Sequence, residues 1–253
     1  MEALRRLPYA WLLAALALMA PLPAQAGAAS LHTTVLYDGA LGTLPDAQGM
    51  RFITNPPLLP AVTQTFADGA TLLDSTPVRG EMAGYFGRAD VVPALDRAAG
   101  YSVFVTVELL EEQHDTPDRA GLSLTVLSSD RLGIELAFWE DEVWAQEGGG
   151  GGQDALFTHA ESAPFDPTAG PVGYELRVQG DEYTLLADGA PLLRGPLRDY
   201  TPFSGPIDPY ETPNLIFLGD NSSSASARVR LSAVRISAGA WSVALPLIAR
   251  GLA

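Results

Sequence analysis

The stretch YELRVQGDEYTLLADGAPLLRG, residues 174 to 195, decides the fold class. Tyr174, Leu176 and Val178 alternate with Glu175, Arg177 and Gln179; the chain turns at Gly180-Asp181, and Tyr183, Leu185 and Ala187 return apolar in the same phase. Alternation with a period of two and one apolar face marks an antiparallel strand buried on one side. Asp188-Gly189 then offers the positive-φ position of a second tight turn before Leu192 and Leu193.

Short β-type runs of this kind recur along the whole chain, separated by clusters of Gly, Pro, Asp and Asn. They are clearest over 33–37, 71–73, 80–86, 101–110, 121–127, 133–139, 142–146, 174–179, 183–187, 192–195, 214–218 and 228–236. Regular spacing of strands and turn signals points to a sandwich or barrel, and twelve strands in one domain imply two stacked sheets. The apolar phase of the last run changes near Ala233, which predicts a bulge. One short helix is expected, over 92–99. Gly148 to Gly152 reads as a loop and not as a phosphate cradle, because no helix with Lys and Ser/Thr follows it. Pro-rich connections at 164–171 and 202–213 are expected to cross the rim of the sandwich, the second long enough to be functional.

The N-terminus reads as an export leader. Arg5 and Arg6 precede an apolar run from Tyr9 to Ala20, and Ala24-Gln25-Ala26 supplies a small-x-small cleavage site. The run is too short to span a bilayer, which takes about 20 apolar residues. The organisation expected is a leader at 1–26, a sandwich over 27–238 and a short apolar tail over 239–253, with no transmembrane span in the mature chain. Loss of the leader leaves 13 Arg against 29 Asp and Glu, so the mature domain is more acidic than the full chain at −15. That balance argues against nucleic acid and anionic membrane surfaces as partners. The chain has no Cys, which excludes disulfides, Cys-ligated metal and thiol catalysis, so the core alone must hold the fold.

The order of features from Tyr174 to Gly195, then Leu215-Ile-Phe-Leu-Gly219, then a closing Val-Arg-Leu-x-x-Val-Arg-Ile strand, resembles the concanavalin A-like and laminin G-like jelly rolls. The resemblance implies an all-β, two-sheet antiparallel sandwich in which the first and last strands pair, Thr34 to Leu36 beside Leu231 to Ile236. Leu36-Tyr-Asp-Gly39, Ala120-Gly-Leu-Ser123 through Ser128-Ser-Asp130, and Phe138-Trp-Glu-Asp141 resemble exported bacterial choice-of-anchor domains. In those the C-terminal attachment device varies; here Trp241-Ser-Val-Ala-Leu-Pro-Leu-Ile-Ala-Arg250 is about half a membrane span.

Three constellations could carry function. Glu140 and Glu142, at alternate positions between Trp139 and Trp144, could serve as the paired carboxylates of a laminarinase-like glycoside hydrolase, although Ala137 stands where that pattern has Asp. Trp139 and Trp144, with Tyr200, Phe203 and Tyr210, could stack on sugar rings. Asp118, Asp130, Asp220 and Asn221 fall at strand ends, where hard oxygen ligands suit calcium; no other cofactor is called for. His32, His114 and His159 complete no zinc or serine-hydrolase motif. The reading that follows is a secreted or cell-surface module that binds glycan or a cell-envelope polymer without catalysis. The hydrolase and a purely structural envelope protein are the alternatives.

Overall fold

The computed structural model describes residues 32–57, 60–152, 155–205 and 207–239. The leader and the tail from Trp241 to Arg250 lie outside the described residues. Fifteen strands are described: β1 (His32–Asp38), β2 (Met50–Asn55), β3 (Thr63–Ala67), β4 (Ala70–Asp74), β5 (Met82–Gly87), β6 (Tyr101–His114), β7 (Leu122–Leu127), β8 (Gly133–Phe138), β9 (Glu142–Gln146), β10 (His159–Pro164), β11 (Val172–Gln179), β12 (Glu182–Ala187), β13 (Ala190–Pro196), β14 (Ile216–Asp220) and β15 (Ala225–Ala238).

They form two antiparallel sheets stacked as a jelly-roll sandwich. The larger runs β13-β12-β11-β6-β15-β4-β3, with β1 also on β15; the smaller runs β10-β9-β8-β7-β14-β5-β2. The 14-residue strands β6 and β15 pair along their length and form the spine of the larger sheet. One edge of β15 holds two strands in succession: Arg228 to Leu231 pair with β4, and Ala233 to Ala238 pair with β1. The expected contact of first and last strands is present, with Thr34 opposite Ile236 and Val35 opposite Arg235. A register shift between Leu231 and Ala233 is the bulge that the phase change predicts.

Alternation decides what the sheets bury. Val103, Val105, Val107 and Leu109 of β6 and Val229, Leu231, Val234 and Ile236 of β15 meet Leu122, Leu124, Val126, Ile134, Leu136 and Phe138 from β7 and β8 in one core. Buried hydroxyls find partners across it, such as Tyr37 with Thr71 at 2.9 Å and Tyr101 with Ser128 at 2.8 Å. Both hairpins read from 174–195 close as expected. Gln179 pairs with Glu182 around Gly180-Asp181, and Ala187 pairs with Ala190 around Asp188 (φ 49) and Gly189 (φ 81).

Residues 92–99 do not form the expected helix. Val91 and Val92 both donate to the Arg88 carbonyl, but Leu95 is drawn into the core and its N–H is taken by Asn214 Oδ1 at 2.7 Å. A side-chain acceptor 119 residues away thus replaces the carbonyl that a helix would supply. Three strands were not anticipated, β2, β3 and β10, and each lies at a sheet edge.

Candidate functional site

The smaller sheet buries both of its faces. Leu124, Leu136, Ala145 and Leu218 point into the core, while Thr125, Glu135, Gln146 and Phe217 alternate with them on the outer face. The segment between β13 and β14 roofs part of that outer face. Tyr200, Tyr210 and Leu215 pack there on Leu127, with Phe86, Phe157 and Phe203 around them. The glycine run lets this roof approach: a Cβ on Gly149 would stand 2.3 Å from the Pro202 ring, and the Gly149 N–H donates to the Asp199 carbonyl at 2.8 Å. Gly149 to Gly151 form a short 3-10 turn there.

Roof and sheet enclose a cleft of about 320 Å³. Its lining includes the aromatic rings of Phe86, Phe157, Phe203, Tyr210 and Phe217, and Ile53 and Ile207 stand exposed there. Thr125, Glu135, Gln146, Asn221 and Ser222 line it with polar groups. Phe203 packs against Phe157 and Tyr210 at centroid distances of 5.5 and 5.4 Å.

Glu135 lies at the centre of these polar groups, 1% exposed. Its Oε1 accepts from Gln146 Nε2 at 2.8 Å and Asn221 Nδ2 at 2.7 Å; its Oε2 accepts from Tyr210 OH at 2.6 Å and Thr125 Oγ1 at 3.2 Å. Burial pushes this carboxyl above its ordinary range, against the pull of Tyr210, Asn221 and Thr125. Tyr200 ties roof to sheet, its hydroxyl donating to the Gln146 carbonyl at 2.8 Å and accepting from the Glu135 N–H at 3.1 Å. With both oxygens of Glu135 occupied, the group acts as a keystone for the donors around it.

Asp220 also borders the cleft but faces the larger sheet, where Ser75 Oγ donates to Oδ2 at 2.7 Å; the Ser222 N–H donates to Oδ1 at 3.0 Å. Burial raises this carboxyl from its ordinary 3.8 to about 7, although the bonds from Ser222 and Ser75 oppose it. A carboxyl whose pKa rises on folding binds its proton more tightly in the native state. The stability it contributes is therefore complete below pH 4 and is lost as pH rises through about 7, at about 1 kcal/mol per pH unit between those limits. Asp220→Asn is expected to flatten the decline of the melting temperature between pH 4 and pH 7; an unchanged slope would refute this.

The aromatic platform expected from sequence is not assembled. Trp144 and Tyr200 are fully buried and Tyr210 nearly so, because the outer face is a second packed layer; of the five residues only Phe203 and Tyr210 line the cleft. Trp139 and Trp144 belong to a separate cluster in which two histidines cover the indoles. His114 stacks on Trp139 at 4.2 Å, His159 on Trp144 at 4.2 Å, and the two indoles meet edge to face at 5.5 Å. His114 Nδ1 lies 2.8 Å from the buried Glu112, and His159 Nε2 lies 3.6 Å from Glu142.

Glu140 and Glu142 are not paired carboxylates facing a cleft. Trp139 donates to the Glu142 carbonyl to close the β8–β9 hairpin, so Glu140 falls in the turn and its Oε1 accepts from the Glu112 N–H at 3.1 Å. The four calcium candidates are likewise dispersed. Asp118 accepts from the His159 N–H before β7, whereas Asp130 pairs with Arg97 beyond the far end of β7. Asp220 is bonded to Ser75, and the Asn221 amide to Glu135 and Ser123. Among the described residues no group of three or more His, Asp or Glu could hold a metal ion, and none forms a helix long and apolar enough to cross a membrane. Sequence reasoning missed Glu135 and Gln146 as the centre of the site. The available signal was the row Thr125, Glu135 and Gln146, all polar, in the outward phase of adjacent strands.

No family model and no curated protein sequence matches the chain. Solved structures do. The conserved carbohydrate esterase of the Shiga toxin-encoding bacteriophage phi24B superposes with a TM-score of 0.55 at 12% identity, over 83% of this chain and 100% of that one. A protein of unknown function with a galectin-like fold from Bacillus subtilis superposes with a TM-score of 0.51 at 11% identity, over 84% and 100%. With the two antiparallel sheets described above, these likenesses place the chain among the galectin-like, jelly-roll β-sandwich folds.

Proposed function

We propose that this chain is an exported, non-catalytic module that binds a saccharide in the cleft on the outer face of the smaller sheet. The observation that carries the reading is the composition of that cleft, aromatic rings beside amides and hydroxyls around about 320 Å³. A sugar ring has the matching surfaces: axial C–H groups bury against an aromatic face, and equatorial hydroxyls pair with amides. The fold shared with a carbohydrate esterase and a galectin-like protein supports the same class. Non-catalytic binding is favoured over hydrolysis because both oxygens of Glu135 are taken up by side-chain donors. It is favoured over ester cleavage because Ser222 and Ser223 line the cleft without a histidine. Export rests on the leader read at residues 1–26 and the likeness to choice-of-anchor domains; the first residue found by N-terminal sequencing of the mature protein is expected to lie near Gly27.

A glycan array followed by calorimetry tests the reading. Wild type is expected to bind at least one neutral oligosaccharide and release no reducing sugar, and Phe203→Ala is expected to weaken binding by about tenfold, the worth of one aromatic face. A protein that binds nothing on the array overturns the saccharide reading and leaves the purely structural alternative.

A further inference from the structure

We infer that the floor of the cleft reads its ligand through the side-chain carbonyl of Gln146, which accepts a hydrogen bond from a hydroxyl of an uncharged sugar unit. This rests on the saccharide reading above. Gln146 ends β9, is 2% exposed and lines the cleft. Its Nε2 donates to Glu135 Oε1, an oxygen that also takes the Asn221 amide. The other oxygen of Glu135 meets two hydroxyls, of Tyr210 and Thr125, and hydroxyls can accept as well as donate. A proton on Glu135 therefore resides on Oε2, and Oε1 remains an acceptor whether the carboxyl is neutral or ionised. The Gln146 amide cannot turn over without setting two acceptor oxygens against each other.

That fixed orientation directs Gln146 Oε1 away from Glu135, and no described residue donates to it. A buried amide oxygen left without a donor is costly and uncommon, so one on a residue that lines a cleft points to a ligand group that completes it. Asn221 offers no such vacancy, since its Oδ1 already accepts from Ser123 Oγ at 3.2 Å. Trp144 Nε1 and Tyr174 OH also lack partners among the described residues, but neither lines the cleft.

Charge narrows the class further. Among the described residues Arg119 is the one basic group in the lining, and its Nη1 donates to the neutral carbonyls of Asp118 and Phe157. Glu135 also lines the cleft, and the chain carries a net −15. An acidic saccharide would meet a single cation in a strongly acidic chain, whereas a neutral hydroxyl donor would not be repelled.

Calorimetry with cellohexaose, laminarihexaose, xylohexaose and mannohexaose, each also with single hydroxyl positions O-methylated, supplies the test, alongside hexauronates of alginate and polygalacturonate. On wild type, methylation at one position of the bound neutral sugar is expected to weaken binding about tenfold, the worth of one buried hydrogen bond. On Gln146→Met the same methylation is expected to change affinity less than about twofold, and hexauronates should bind wild type at least about tenfold more weakly than neutral sugars. Where Gln146→Met does not fold, the 13C shift of the Gln146 side-chain carbonyl in labelled wild type takes its place and should move on saturation with the neutral sugar. A methylation penalty that is absent on wild type or persists in the variant, an unmoved carbonyl shift, or preference for a hexauronate each overturns the inference alone. Failure of wild type to bind any saccharide overturns the saccharide reading, and this inference with it.

Discussion

Arg198→Met is expected to lower the free energy of unfolding by about 3 kcal/mol, measured by urea denaturation at pH 7. Arg198 follows β13, at the edge of the larger sheet, and its side chain is 6% exposed. Its guanidinium engages both oxygens of Glu161 on β10, at the edge of the smaller sheet, and also donates to the Pro196 carbonyl at 2.9 Å. Glu161 accepts a further bond from Tyr183 OH at 2.7 Å. The pair therefore closes the side of the sandwich where the two sheets would otherwise part. Removing the cation leaves a half-buried carboxylate without its counter-charge. Burial raises the Glu161 carboxyl, but the bonds from Arg198 and Tyr183 outweigh it and hold the group below its ordinary 4.5. A carboxylate whose pKa falls on folding contributes stability at pH above its unfolded value and loses it as pH drops through the folded one. The deficit of Arg198→Met should accordingly shrink as pH falls below about 4, and Arg198→Met combined with Glu161→Met should be milder than the single change. Equal stability of wild type and Arg198→Met would show that the pair contributes nothing.

Glu135→Ala is expected to be more damaging, by about 4 kcal/mol or more. Four donors from three strands or loops and the roof converge on this carboxyl, and the substitution strands all of them in a dry site while opening a cavity. Tyr210→Phe removes one of the four and should cost about 1 kcal/mol. Glu135→Gln keeps the shape but offers one acceptor oxygen in place of two, and should fall between them. The order of the three variants in urea is the check: a Glu135→Ala protein no less stable than Tyr210→Phe would mean that the donors are satisfied elsewhere and that Glu135 is no keystone.

Much of the sandwich was legible because its strands alternate. All twelve expected runs are strands, and the pairing of the first strand with the last, both tight hairpins and the bulge near Ala233 follow from residue pattern. What stayed hidden lies at sheet edges, where burial no longer imposes alternation. In β2 the cleft exposes Ile53, which blurs the phase set by Met50. β10 holds His159, Glu161 and Pro164 and owes its conformation to pairing with β9. β3 is short, although Asp68-Gly69, at φ 52 and 76, was a hairpin signal as plain as Asp188-Gly189.

The site was misread for a related reason. In β7, β8 and β9 nearly every residue is buried, so an outward-phase Glu or Gln that pattern assigns to solvent belongs to a second interior. Nothing local to Trp144 announces the histidine that covers it, and nothing local to Tyr200 announces that it roofs the sheet, since its hydroxyl bonds to Gln146, a residue distant in sequence.

One consequence of the β1–β15 contact is mechanical. His32 stands opposite Ala238, so the two ends of the described chain leave the sandwich side by side from one corner. Tension applied between them would load the cross-strand bonds one pair at a time, starting at that corner, as a zipper opens; it would not strain the whole row in parallel as shear does. Its architecture suits attachment through a single terminus, which places no tension across the sheet.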